Sequence, residues 1–93
     1  MMKGMDVTRE GEVRVGAVYE HYKGQRYRIL ALAREEATRV PVVVYQALYD
    51  TEDFGNQPIW TRPLAEFIGT VTVGGEVRSR FRHIEDSVEA QDR

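Results

Sequence analysis

The apolar and aromatic residues of this chain fall into six short runs, which span residues 17–22, 27–33, 42–49, 59–61, 70–73 and 77–84. In the second run every other residue from Tyr27 onward is apolar, which is the period of a strand with one buried face. The third run is β-branched and aromatic, with apolar residues at both alternating positions. We therefore predict that 42–49 forms a central strand of a sheet.

Turn-forming residues separate these runs. The tripeptide Lys23-Gly24-Gln25 and the pair Gly74-Gly75 each predict a hairpin turn, because glycine readily adopts a positive φ. Residues 63–68 begin with proline and predict one helical turn. Five or six short strands without a long helix predict an all-β fold, which we expect to be a small, partly open barrel of the Src-homology-3-like type with one short helical turn.

The length of 93 residues allows one small domain. We predict a single β domain over residues 13–84, with a flexible tail at 1–12 and a flexible acidic tail at 85–93, since both ends are polar. The most apolar runs predict a core that includes Ile29, Val44, Leu48 and Phe81.

Composition narrows the classes of function. The chain contains no cysteine, which excludes thiolate catalysis and cysteine-ligated zinc and favours a cytoplasmic location. No apolar run approaches the roughly 18 residues of a membrane span, so we expect no membrane association. The ten basic and eight acidic residues of 13–84 give this part a slight positive charge, whereas the chain as a whole carries −2. A dedicated nucleic-acid binder usually has a stronger basic excess.

A spaced signature runs through the predicted domain. It comprises Gly16-Ala-Val-Tyr19-Glu-His21-Tyr22-Lys23-Gly24, Tyr27, Val43-Val44-Tyr45-Gln-Ala-Leu48-Tyr49, Trp60-Thr-Arg62-Pro63, Phe67 and Arg80-Phe81. In this order and spacing the signature resembles the domain-of-unknown-function family numbered 1653, a group of small bacterial proteins. The resemblance covers about residues 16–81 and implies no particular reaction.

The chain departs from this family in one segment. After the alanine that corresponds to Ala33, members of the family typically show a His-Ser-Glu-Thr-like sequence. This chain has Glu35-Glu36-Ala37-Thr38 instead, so only the threonine is retained. Any function that depends on the histidine and carboxylate of that segment is therefore not expected here.

The histidines offer limited chemistry. A histidine can act as a general base or a metal ligand, but His21 and His83 have no partners at zinc-binding spacing. His21 therefore has three interpretations, a partly buried structural ring, a group that contacts a ligand, or a catalytic base. We predict no metal site, no catalytic residue and no cofactor.

Aromatic and basic residues define the predicted binding groove. Tyr45 and Tyr49 share a strand face, as do Trp60 and Arg62, and a guanidinium beside an aromatic wall can hold a carboxylate or phosphate. Arg78, Arg80 and Arg82 form a stripe along one strand, which is either a solvated face or a contact for phosphates. The predicted ligand-binding residues are His21, Tyr22, Lys23, Tyr45, Tyr49, Trp60, Arg62 and Arg80.

The sequence favours a non-catalytic binding module whose ligand is anionic or aromatic, such as a nucleotide, an RNA segment or a peptide. Two alternatives belong to other classes. One is a small enzyme or accessory domain that uses His21 as a base, and it lacks a carboxylate or nucleophile at a defined spacing from that histidine. The other is a structural module that forms a homodimer through an uncovered strand edge.

Overall fold

The computed structural model describes residues 13–86, so the predicted tail at 1–12 and residues 87–93 of the predicted tail at 85–93 lie outside this range. Nine strands and one short helix follow each other along the described residues. They are β1 Val18–His21, β2 Arg26–Arg34, β3 Pro41–Ala47, β4 Asp50–Thr51, β5 Gly55–Asn56, β6 Ile59–Pro63, α1 Leu64–Phe67, β7 Thr70–Val73, β8 Glu76–Ser79 and β9 Phe81–Glu85.

Five strands form an antiparallel sheet in the order β6-β3-β2-β1-β9, and β4–β5 and β7–β8 form separate hairpins. The prediction of an all-β domain with one short helix is confirmed. The sheet is not closed into a barrel, because β6 and β9 each pair with one neighbour among the described strands. Within residues 13–86, no helix is long and apolar enough to cross a membrane.

The inner face of the sheet is aromatic. Its cross-strand pairs include Tyr19 with Tyr27 and Ile29 with Tyr45, and α1 places Leu64 and Phe67 against them. The ring of Phe67 stacks on Phe81, with centroids 4.0 Å apart and planes inclined by 8°. The core of this small domain is thus a set of interlocked aromatic rings, which bury large apolar areas per residue.

The predicted core is partly correct. Ile29 and Phe81 are buried, Val44 is half-buried, and Leu48 is 37% exposed, so its assignment to the core was wrong. Residues 42–49 have apolar side chains on both faces of the strand. Val43 and the alternate residues after it lie on the buried inner face, and β3 ends at Ala47, before Leu48. A strand with two apolar faces does not reveal which one is covered more completely.

The predicted final strand at 77–84 is two strands. The bend at Arg80 separates β8, which pairs with β7, from β9, which pairs with β1. Two backbone hydrogen bonds hold the bend, because Arg80 N–H donates to Gly69 O (3.0 Å) and Arg80 O accepts from Tyr22 N–H (2.9 Å). The predicted tail boundary at 85 is also shifted, since Glu85 is the last residue of β9.

A paired truncation tests this core. We expect Phe67→Ala to lower the free energy of unfolding by about 3–5 kcal/mol, because Phe67 is 1% exposed and its ring fills the space over Phe81. Leu48→Ala, the matched control on an exposed leucine, should lower it by less than about 1 kcal/mol. Urea denaturation followed by circular dichroism measures both changes.

The truncation of Phe67 can prevent folding altogether in a domain of this size. Ile29→Val is then the milder variant of a fully buried side chain, with an expected loss of about 0.5–1.5 kcal/mol. If Leu48→Ala cost as much as the core variants, the inner face would be assigned wrongly.

Candidate functional site

A groove of about 480 Å³ lies between the β1–β2 turn and the strands that flank Arg80. We call it the basic groove, and its lining residues are Glu20, His21, Tyr22, Lys23, Gly24, Arg78, Ser79 and Arg82. Three cationic side chains line it against one carboxylate. The groove exists because the bend at Arg80 directs β8 away from β9 and leaves β8 facing the turn.

The β1–β2 turn forms one wall of the groove and is closed by two backbone hydrogen bonds. His21 N–H donates to Gln25 O and Gly24 N–H donates to His21 O, both at 2.7 Å. Gly24 has φ +106°, a conformation that side-chain-bearing residues rarely adopt. The turn therefore presents Tyr22 and Lys23 to the groove from a fixed backbone.

The ring of His21 has a defined tautomer. The backbone N–H of Lys23 donates to His21 Nδ1 at 3.2 Å, so in the neutral ring the proton is on Nε2. Burial lowers the pKa of His21 below its usual value, and the charges of Arg62, Lys23 and Arg80 lower it further. The imidazole is neutral at physiological pH and has an N–H donor that makes no hydrogen bond to the described residues.

The cations of the groove are not equivalent. Arg82 pairs with Glu20, which also lies 3.6 Å from Arg26, and Arg78 lies 3.5 Å from Glu76. Lys23 has no ion pair among residues 13–86, and its Nζ lies 5.9 Å from the centre of the Tyr22 ring. Exposed ion pairs such as that of Arg78 are weak, so their cations remain able to bind an anion.

A second polar group lies at the end of the aromatic core. We call it the arginine–tyrosine cluster, and it consists of Tyr27, Tyr45, Tyr49, Arg62 and Glu66. Arg62 Nε donates to Tyr45 Oη and Arg62 Nη1 to Glu66 Oε1, both at 3.2 Å. The hydroxyls of Tyr27 and Tyr49 are 2.6 Å apart. Burial, together with the bond to Tyr49, raises the pKa of Tyr27 well above its usual value, so this hydroxyl stays protonated.

Phe81 lies between the two groups. The ring of His21 contacts it edge-on at a centroid distance of 5.0 Å, and Arg62 Cζ lies 5.8 Å from the Phe81 centroid. The basic groove and the arginine–tyrosine cluster therefore lie on either side of one buried ring. The positive charge of Arg62 reaches His21 across it.

The predicted ligand-binding residues do not form one groove. His21, Tyr22 and Lys23 line the basic groove, whereas Tyr45 is 4% exposed and belongs to the core. Tyr49 is half-buried, and its hydroxyl is bonded to Tyr27. The sequence spacing of Tyr45 and Tyr49 placed Tyr45 on the correct strand face. That spacing carries no information on the position of α1, which covers the face.

Trp60 and Arg62 share the inner face of β6, as their spacing predicts, because they lie opposite Tyr45 and Val43 in register. Trp60 is half-buried and contacts the exposed ring of Phe54 edge-on at 5.0 Å. Neither residue lines the basic groove, so the predicted shared pocket with His21 is separated into two surfaces.

The predicted arginine stripe is divided by the bend. Arg80 turns inward, and its Nε donates to the backbone oxygen of Glu66 at 3.1 Å. Arg78 and Arg82, which were not among the predicted ligand-binding residues, line the basic groove instead. Their alternation in sequence signalled a common surface, but only the pairing of β1 with β9 brings that surface to Lys23.

The segment that departs from the family signature forms a capped turn at the far end of β2. Glu35 Oε1 accepts hydrogen bonds from Thr38 N–H (3.0 Å) and Thr38 Oγ1 (2.6 Å), and these bonds lower the pKa of Glu35. The turn is remote from the basic groove, because β2 runs from the Gly24 turn to this one. No group of three metal-ligating side chains occurs within residues 13–86.

Comparison with known proteins agrees with the signature. The family model described as "Protein of unknown function (DUF1653)" matches residues 17–83. A crystal structure of a DUF1653 protein from Bordetella bronchiseptica is 37% identical, with a TM-score of 0.70 over 84% of this chain and 95% of that one. No curated protein matches. The match spans β1 to β9 and includes the whole basic groove, and this chain therefore belongs to the DUF1653 family.

Proposed function

We propose that the protein is a non-catalytic binding module that holds a phosphate-bearing ligand, a nucleotide or a short RNA segment, in the basic groove. The observation that carries this proposal is the convergence of Lys23, Arg78 and Arg82 on one groove that contains a single carboxylate, Glu20. Guanidinium and ammonium groups together are well suited to phosphate, since the former binds through paired N–H donors and the latter as a compact charge.

Further features of the groove favour a ligand that also has a ring. Tyr22 is half-buried, and its ring lies 4.4 Å from that of His21, tilted by 35°. An aromatic face of this kind can stack a base, and the Nε2–H of His21 supplies a hydrogen-bond donor beside it. The volume of about 480 Å³ lies within the range of small-molecule sites.

The geometry favours binding over catalysis by His21. In the neutral ring Nδ1 accepts from the Lys23 backbone and Nε2 carries the proton, so neither nitrogen has a free lone pair to act as a base. The neighbouring cations oppose formation of the imidazolium. A general base needs a partner that stabilises its protonated form, as a carboxylate does in hydrolytic triads.

The proposal includes a Src-homology-3-like fold type. The strand order β9-β1-β2-β3-β6, with a short helix before the final strand, supports an arrangement of the Src-homology-3-like type that has opened between β6 and β9. The family signature and the absence of cysteine support a bacterial, cytoplasmic protein.

A charge-neutralising pair of variants tests the proposal. We expect Arg78→Gln to weaken binding of a fluorescein-labelled RNA oligonucleotide several-fold in an anisotropy titration. Arg14→Gln, which removes the same charge at an exposed site outside the groove, should leave it nearly unchanged. Three phosphate contacts predict that log affinity falls with log salt at a slope of about −2 to −3, and the Arg78 variant should reduce that slope by about 0.7–0.9.

The same titration distinguishes the ligand classes. ATP as a competitor shows whether one nucleotide suffices, and an acidic peptide shows whether charge alone is recognised. If neither RNA nor ATP binds at low salt, or if both arginine variants behave alike, the proposal is wrong.

The pH dependence of binding provides a second test. A phosphate in the groove offsets the positive charges that lower the pKa of His21, so that pKa rises when the ligand binds. By linkage the affinity increases as the pH falls from 7 through the interval between the free and bound pKa values. NMR titration of the His21 ring with and without ATP measures the shift.

The two histidines supply the control for this prediction. The rise in affinity at lower pH should disappear in His21→Gln and persist in His83→Gln, because His83 pairs with Asp86 at 3.1 Å and does not line the groove. A rise in affinity that survives in His21→Gln would contradict the assigned role of His21.

A further inference from the structure

The strand β6 has one unpaired edge among the described residues, because its only neighbour in the sheet is β3. Ala47 N–H donates to Pro58 O at 2.8 Å, and bonded pairs alternate along an antiparallel ladder. With the observed register, the backbone groups of Trp60 and Arg62 therefore face β3. Those of Ile59 and Thr61 point away from the sheet, with N–H and C=O available for a further strand.

The two edges of the sheet differ in their protection. β9 carries the exposed polar residues Arg82, His83 and Glu85, and charges of this kind discourage pairing with another chain. β6 begins with three uncharged residues, and Ile59 is 58% exposed. Only Pro63 at its end restricts pairing, since it lacks an N–H.

We propose that β6 pairs in antiparallel fashion with β6 of a second copy of this chain, about a two-fold axis at Thr61. Such an axis puts Trp60 opposite the partner's Arg62, and by symmetry Arg62 opposite the partner's Trp60. Because the Arg62 guanidinium is bonded to Tyr45 and Glu66, it is the aliphatic stem of Arg62 that would pack beside the partner's Trp60 ring. On the other face, exposed Ile59 lies opposite the partner's Pro63, so two apolar pairs flank the axis.

The backbone is equally self-complementary. The two central Thr61 residues exchange two N–H···O bonds, and Ile59 N–H donates to the oxygen of the partner's Pro63 on each side. In this register the oxygen of Ile59 receives no bond on either side, because Pro63 lacks the N–H that would donate to it. The residues thus satisfy the rule that a two-fold interface must match itself.

The paired edge is only five residues long, so the interface is small. We expect a reversible dimer that dissociates on dilution, not a permanent one. The dimer does not depend on the basic groove, since none of the groove residues lies on β6.

Sedimentation equilibrium of the full chain, from micromolar to millimolar concentration, is the test. The mass should rise from 10.7 kDa toward twice that value as concentration increases. Thr61→Pro should remain monomeric, because it removes an N–H that faces away from β3 and leaves the β3–β6 bonds intact. Thr61→Val is the matched control, and it should dimerise like the parent because it keeps the N–H.

Ile59→Lys provides a second disrupting variant in case Thr61→Pro fails to fold, as judged by circular dichroism. Its charge falls on an exposed position of the edge, and it should weaken dimerisation at least tenfold. A chain that stays monomeric at millimolar concentration would overturn the proposal. So would a dimer that survives both variants, or a mass that grows beyond two copies.

Discussion

The stacking of Phe67 on Phe81 determines where the polar groups of the candidate site lie. Helix α1 is only four residues long, and this contact holds it against the inner face of the sheet. The rings of Tyr27 and Tyr45 meet Phe81 edge-on, with centroids 5.9 and 5.6 Å from it. A helix this short has no stability of its own, so its position depends on that packing.

The position of α1 also determines the contacts of two arginines, Arg62 and Arg80. Because α1 is fixed, Glu66 is within reach of Arg62, and the backbone oxygen of Glu66 accepts from Arg80. Arg80 is half-buried at this bond, and the chain bends at this residue between β8 and β9. Because of the bend, Arg78 lies beside the β1–β2 turn and lines the basic groove. The position of this groove residue therefore depends indirectly on an apolar contact in the core.

The sequence was sufficient for features that depend on local periodicity. Alternation predicted the face shared by Trp60 and Arg62, and glycine predicted the turn at Gly24 that shapes one wall of the groove. The identity of the buried face of β3 could not be read from a run that is apolar on both sides. The bend at Arg80 was also hidden, because alternating arginines resemble one continuous strand, and the hydrogen bond to Gly69 that interrupts them joins residues eleven apart.

The basic character of the groove comes from charges other than that of His21. Its three cationic side chains are those of Lys23, Arg78 and Arg82, and Arg78 and Arg82 also have carboxylate neighbours. Burial, together with the charges of Arg62, Lys23 and Arg80, lowers the pKa of His21, and the backbone N–H of Lys23 at Nδ1 leaves the proton of the neutral ring on Nε2. An imidazolium would add a fourth positive charge to a groove that already has three cations, whereas a neutral ring adds only a directional N–H donor. In the binding mode that we propose, the lysine and arginine charges would attract the ligand at long range, and the Nε2–H of His21 would orient it at contact.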